Sequence, residues 1–283
     1  MTDKNLENGH HVDYANAPYS QGNGASLQQT ATNTTLTNEQ FERLYLSPRN
    51  QPVAGNLRKT FANPTVLGVA GFAVGLTPLS AQLMGWRGAG GGTGDSQATV
   101  GATVWFGGMC LIIAGILEFF LGNTFPFLVF VTYGAHFLTY GVTFIPAWNA
   151  VSAYNGGSPY AEGTQEQTAA FAAGFAFYAC TLCVLSFIFL IASLRTNLVF
   201  FLVFVAATIG FGLAAGAFWN IAEGKTALGL RLVVGAGGSF WGAAMLGWYL
   251  LAALLFQIME MPFPELPIVD LSEIIKAKKS KVV

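Results

Sequence analysis

Charged residues are scarce in this chain. Of its 283 residues, 10% are Asp, Glu, Lys or Arg and 53% are hydrophobic, whereas a soluble domain carries about 25% charged residues. So few charges cannot cover the surface of a water-soluble protein of this length, and we therefore expect much of the surface to face a lipid bilayer. The formal net charge of −1 provides no basic surface, so we predict no nucleic-acid partner.

Cysteines and catalytic motifs are also few. Cys110, Cys180 and Cys183 all lie inside apolar runs, where we interpret them as small buried hydrophobic residues that form no disulfide framework. The sequence contains no zinc signature, no Gly-x-Ser-x-Gly and no nucleotide-binding fingerprint, which are the patterns that would carry hydrolytic or cofactor chemistry. We therefore predict that the chain is not an enzyme and binds no metal or cofactor.

Long apolar runs are what the chain does contain. Each is about twenty residues long, which is enough to cross a bilayer as a helix. The six runs lie near 64–84, 99–120, 125–146, 169–193, 197–219 and 231–257. They predict an all-α fold, an integral membrane bundle of six transmembrane helices. Because only residues 121–124 separate the second run from the third, these two helices should form an antiparallel hairpin.

The regions outside the apolar runs predict the domain organisation and the topology. Residues 1–57 are rich in Asn, Gln, Thr, Ser and Gly and are predicted to form a disordered cytosolic tail. The six-helix transmembrane domain should span 58–258, followed by a cytosolic C-terminal tail at 259–283. With the N-terminus in the cytosol, seven Lys or Arg residues lie inside and three outside, which favours cytosolic termini. The inner set is Arg58, Lys59, Arg195, Lys276, Lys278, Lys279 and Lys281, and the outer set is Arg87, Lys225 and Arg231.

The first apolar run begins with Asn63-Pro64. Asn is a strong N-cap, and Pro is tolerated in the first helical turn, where its missing N–H is not needed. Such a start also leaves backbone amides and the positive end of the helix dipole at the membrane edge, where they attract anions.

Three glycine pairs with a spacing of four indicate close contact between helices. They are Gly71 and Gly75, Gly212 and Gly216, and Gly238 and Gly242. Small residues at this spacing let two helix backbones approach each other. The same glycines would also thin the wall around a narrow pore, and both interpretations remain open.

Glu118 is the one acidic residue inside an apolar run. An ionisable side chain within the membrane is unfavourable by a few kcal/mol unless it has a partner. In one interpretation Glu118 anchors the short hairpin by a hydrogen bond to Asn123 or Thr124. In the other it relays a proton or a substrate.

His136 lies in the middle of the third run. Tyr133 and Tyr140 are three and four residues away, so all three should share one helix face. His136 is either a packing residue with a satisfied hydrogen bond or a titrating group on a permeation path.

Two segments resemble a known family. The stretch "FANPTVLGV" resembles the Asn-Pro-Ala-Pro-Leu-Gly-Leu signature of the acetate uptake transporter family, the YaaH-like succinate–acetate permeases and their fungal relatives. The block "WFGGMCLIIAGILEFFLGNTFPFLVFVTYG", from Trp105 to Gly134, resembles the family's Phe-Tyr-Gly-Gly, Ala-Gly-x-x-Glu, Asn-Thr-Phe and Tyr-Gly series in order and spacing. The resemblance extends over residues 60–265, and the long polar N-terminal tail is similar to that of the fungal branch.

The resemblance implies a function and an assembly. It implies a six-helix protomer, a homohexamer with one pathway per protomer, and a place in the plasma membrane. The implied substrates are acetate and similar short monocarboxylates, and uptake favoured at acid pH implies a link to protons. Asn63, Pro64, Leu67 and Gly68 match the signature.

The resemblance also implies positions for a constriction and a hairpin. Phe72 and Tyr133 match two members of the family's narrow apolar constriction, and a gap-free alignment of the fifth helix puts Ala207 at the third. Glu118 and Asn123 match the inner hairpin.

The chain departs from the family pattern at two informative positions. Thr65 replaces an alanine of the signature, and its hydroxyl would add a donor near the anion site. His136 replaces the usual Phe after Tyr-Gly.

Three functions remain open from the sequence. The first is a transporter or channel for monocarboxylates. The second is an exporter of ammonia or ammonium. The third belongs to another class, a membrane sensor of acetate that signals through its tails and transports nothing.

Overall fold

The computed structural model describes residues 61–90, 97–145, 148, 150, 152–154, 164–264 and 266–275. The predicted disordered tail at 1–57 lies outside the described residues, as do most of the lysines and arginines on which the predicted topology depends. The disordered tail and the topology therefore stay predictions.

Six helices are long and apolar enough to cross a membrane. They are α1 (Pro64–Leu83), α2 (Val100–Phe120), α3 (Thr124–Phe144), α4 (Gln165–Ser193), α5 (Leu198–Ala222) and α6 (Thr226–Ile258), and a short α7 (Leu271–Ile274) follows. Within the described residues the structure is otherwise helical or irregular, apart from one isolated bridge between Asn197 and Asp270. The predicted all-α fold with six spans is confirmed.

Side-chain caps set where the helices begin. Asn63 accepts a hydrogen bond from the Thr65 amide at 3.0 Å and Pro64 is the first helical residue, as predicted. Thr164 and Gln167 form a reciprocal capping box at the start of α4. α4 and α6 begin four and five residues before their predicted starts. The added first turn of α4 is polar, and a hydropathy pattern does not register it.

α1 and α2 approach each other at their backbones. A Cβ atom on Gly71 would lie 2.6 Å from the carbonyl oxygen of Phe106, and one on Gly75 would lie 2.8 Å from the Cα atom of Gly107. This contact falls where α2 is wound as a π-helix, Thr103–Cys110. The predicted close contact is confirmed for the first glycine pair.

The other two glycine pairs do not make the predicted close contact within the chain. A Cβ on Gly212 or Gly216 would have its nearest neighbour at 3.5 or 3.7 Å, which is ordinary packing. Among the described residues, Gly238 has nothing nearer than 3.9 Å and Gly242 nothing within 4 Å. The tight position on α5 is Gly210, where a Cβ would lie 2.4 Å from the Phe240 ring. The spacing identifies a stripe of small residues but not whether that stripe faces a neighbouring helix.

The helices form two groups of three. α2 packs against α1 and α3, α5 packs between α4 and α6, and α1 joins the groups by packing against α6. Across the opposite side, side chains of α3 and α4 meet: the Tyr133 hydroxyl lies 2.9 Å from the Ser186 hydroxyl. The space between the group α1–α3 and the group α4–α6 therefore lies inside the bundle.

The beginning of the C-terminal tail packs against the bundle. The Leu198 amide donates to the carbonyl oxygen of Val269, the Leu271 amide donates to that of Thr196, both at 2.9 Å, and the Tyr249 hydroxyl donates to that of Pro267 at 2.8 Å. This part of the tail thus fastens the turn between α4 and α5.

We expect Gly75→Ala to lower the free energy of unfolding by about 1–3 kcal/mol, because the new methyl group meets backbone atoms of α2 that cannot move independently. The matched control is Gly174→Ala in α4, where no described atom lies within 4 Å; its higher helix propensity should leave stability unchanged or raised by up to about 1 kcal/mol. The measurement is unfolding of the purified protein in detergent. Equal stability of the two variants would contradict the assigned contact.

Candidate functional site

Two cavities lie in the space between the helix groups. The larger, of about 100 Å³, is bordered by side chains of α1, α3, α4, α5 and α6. The smaller, of about 30 Å³, lies closer to the start of α1 and is bordered by residues that include Val69 and Leu111. Phe72, Tyr133 and Val203 border both cavities. These three side chains lie between the two cavities, and we call them the constriction.

Of the three residues that the resemblance assigns to a constriction, Phe72 and Tyr133 border both cavities, whereas Ala207 borders only the larger one. Val203, one helical turn earlier on α5, also borders both. Sequence reasoning did not single out Val203, because nothing in a continuous apolar run distinguishes a residue from the one a turn away.

Both aromatic rings of the constriction are held in place. The Tyr133 hydroxyl pairs with Ser186, and its ring centroid lies 5.8 Å from that of Phe189. The Phe72 ring lies against Gly247, where a Cβ atom would come within 2.9 Å of it. Ser186 and Gly247 are supporting residues that the sequence analysis missed, since each is far along the chain from the ring that it positions.

His136 borders the larger cavity together with Tyr133 and Tyr140, so the predicted common face is confirmed. Its Nδ1 atom lies 2.9 Å from the hydroxyl oxygen of Tyr178 on α4. The edge of its ring packs against Phe211, with the centroids 5.0 Å apart.

Glu118 is fully buried near the start of α1. One carboxylate oxygen accepts a hydrogen bond from the Thr65 hydroxyl, and the other accepts one from the side-chain amide of Asn123. The Asn123 backbone amide also donates to the Glu118 carbonyl oxygen at 3.0 Å. The contact predicted for a hairpin anchor is present, and Thr65 adds a link from α1 that was not predicted. The hydroxyl expected near an anion site is committed to Glu118 instead.

The remaining predicted residues lie away from these two cavities. Asn63, Pro64, Thr65, Leu67, Gly68, Glu118 and Asn123 border neither of them. Leu67 is 38% exposed and faces outward, whereas Gly68 makes room for the Phe130 ring, which would lie 2.8 Å from a Cβ atom there. Phe130 borders the smaller cavity, so Gly68 affects that cavity through it.

Comparisons with known proteins identify relatives over most of the chain. The family model described as GPR1/FUN34/yaaH family matches residues 46–271. Protein alcS of Aspergillus fumigatus is 42% identical over 261 residues, which cover 90% of this chain and 92% of that protein. Acetate transporter protein patA of Aspergillus clavatus is 28% identical over 195 residues, covering 69% and 73% of the two chains.

A solved structure shares the fold. The bacterial acetate channel SatP superposes with a TM-score of 0.56 at 22% sequence identity, covering 74% of this chain and 99% of that one. The six-helix architecture is therefore one that a known membrane protein also adopts.

We expect Thr65→Val to lower the free energy of unfolding by about 1–2 kcal/mol, because it removes a donor from the buried Glu118 carboxylate while keeping the side-chain shape. In the control Thr181→Val, the lost hydroxyl bonds to the Phe177 carbonyl of its own helix at 2.9 Å and is exposed, so we expect a change below about 0.5 kcal/mol. Unfolding in detergent measures both. If Thr65→Val is as stable as the control, the link between α1 and the hairpin contributes nothing.

Proposed function

This chain belongs to the GPR1/FUN34/yaaH family, and we propose that it carries acetate and related short-chain monocarboxylates across a membrane. The observation that carries the proposal is the pair of cavities inside the bundle, separated by the constriction of Phe72, Tyr133 and Val203. Cavities of about 100 and 30 Å³ suit a solute of a few heavy atoms. The names of patA and SatP, both of which refer to acetate, support this substrate class.

The location, assembly, proton linkage and topology in this proposal come from the sequence. The plasma membrane location, the homohexamer and the link to protons come from the resemblance to the acetate uptake transporter family. The cytosolic position of both termini comes from the seven-to-three distribution of lysine and arginine. Family membership also agrees with the expectation that the chain is not an enzyme.

We propose that Glu118 anchors the hairpin and does not relay protons. Both of its carboxylate oxygens are engaged, by Thr65 and by Asn123, and the side chain is sealed from access. A relay group needs a position from which a proton can arrive and leave. Asn63 and Pro64 start α1 beside this anchor. We also propose that the N-terminus of α1 attracts the anionic substrate.

Uptake of radiolabelled acetate by vesicles that contain the purified protein tests the proposal. We expect acetate to enter faster than into protein-free vesicles, and faster at pH 5 than at pH 7. Export of ammonia is the second candidate, since among the described residues no charged side chain borders either cavity and a neutral molecule fits such a path. Movement of ammonium without acetate would establish that candidate, and movement of neither would overturn both transport candidates and leave the sensor.

We expect Phe72→Ala to join the two cavities and to raise uptake of lactate relative to acetate by about tenfold, because discrimination by pocket size amounts to about 1–3 kcal/mol per methylene. Leu79→Ala is the matched control: Leu79 is on the same helix, is buried and borders the larger cavity but not the smaller. That control should change the lactate-to-acetate ratio by less than about twofold. The same ratio in both variants would show that the constriction does not select by size.

A further inference from the structure

The two cavities have an uncharged lining. Among the described residues that border them, the polar side chains are three tyrosines and one histidine, and the others are aliphatic or phenylalanine side chains or glycine. The polar set is Tyr133, His136, Tyr140 and Tyr178. No lysine or arginine from α1, α3, α4, α5 or α6 borders either cavity within the described part of the chain.

Most of the polar atoms in this lining already have partners. Tyr133 pairs with Ser186, Tyr178 pairs with Nδ1 of His136, and Tyr140 is engaged as well. The other ring nitrogen of His136, Nε2, has no hydrogen-bond partner in the described part of the chain, yet protein atoms do not seal it off. It is therefore a polar atom in this lining that is available to a solute.

Such a lining discriminates by charge. Moving a carboxylate out of water into a site without a cation is unfavourable by several kcal/mol even after relaxation, and each 1.4 kcal/mol changes an equilibrium about tenfold. An undissociated acid of the same size avoids this penalty and needs only a hydrogen bond for its carboxyl group.

We propose that the transported species is the undissociated acid and that its carboxyl group docks on Nε2 of His136 in the larger cavity. The proposal rests on the proposed function. If the Tyr178 hydroxyl donates to Nδ1, then Nε2 carries the hydrogen and donates to the carbonyl oxygen of the acid. If Nδ1 donates to Tyr178, then Nε2 accepts the hydrogen of the acid's O–H. A carboxylic acid satisfies both arrangements, whereas a carboxylate satisfies only the first.

This docking explains a link to protons without a titrating residue on the path. The proton crosses on the substrate, so uptake follows the concentration of the undissociated acid outside. The titratable groups that face His136 are Tyr133 and Tyr140 from its own helix and Tyr178 from α4, and α1, α5 and α6 present none to it among the described lining residues.

Two probes of similar size and different charge test the proposal. Acetamide is a neutral analogue of acetic acid, and methanesulfonate is an anion at every working pH. Acetamide also crosses lipid more slowly than acetic acid does, which lowers the background in protein-free vesicles. We expect the reconstituted protein to accelerate acetamide entry at least about tenfold more than methanesulfonate entry.

The measured rates distinguish a failure of the proposed function from a failure of this inference alone. If labelled acetate does not enter above the protein-free rate, the proposed function fails and this inference fails with it. If acetate enters and methanesulfonate enters at least as fast as acetamide, or acetamide is not accelerated at all, only the inference is overturned.

Variants of His136 test the docking position. His136→Phe removes the hydrogen bond, and we expect acetamide and acetate entry to fall by about 3–10-fold, the equivalent of one net hydrogen bond. His136→Gln keeps a donor and an acceptor and should restore part of the rate, which a loss of packing alone would not explain. Entry at the wild-type rate in a folded His136→Phe variant, or equal rates in the two variants, would overturn docking at His136.

Discussion

A polar group inside a membrane-spanning bundle must find a partner within the protein, because hydrocarbon supplies none. This constraint accounts for several of the polar contacts inside the bundle. Glu118 is satisfied by Thr65 and Asn123, Tyr133 pairs with Ser186, and His136 pairs with Tyr178. Two of these contacts connect α3 to α4, whose aromatic side chains also meet. The polar pairs therefore help to join the two helix groups on this side.

Glycines determine how near the remaining helices come. Gly71 and Gly75 bring the α1 backbone against α2, so that α2 packs outside the larger cavity and contributes no residue to its wall. Gly247 on α6 makes room for a side chain instead of a backbone, since its missing Cβ leaves the space that the Phe72 ring occupies. One residue type thus brings two helix backbones together at Gly71 and Gly75 and leaves room for an aromatic ring at Gly247.

Local features of the sequence predicted more than long-range ones. Hydropathy located all six spans, and Asn63-Pro64 gave the start of α1. The bond between Glu118 and Asn123 was predictable because the residues are five apart, whereas the bond from Thr65 spans 53 positions. The constriction residue on α5 and the orientation of the glycine pairs could not be predicted. A helix that is shifted along its axis by one turn, or rotated to present another face, has the same apolar pattern in its sequence.

The low number of charged residues that lets the helices face lipid also affects what lines the interior. A chain with 10% charged residues has few to place along a path, and among the described residues that border the cavities there are none. Selection by an opposite charge is then not available, and in the proposed function the path discriminates by size and by neutrality. We propose that size is selected at the constriction, where two rings are fixed by Ser186 and Gly247, and neutrality by the apolar wall, in which the accessible nitrogen of His136 is the point that holds a carboxyl group.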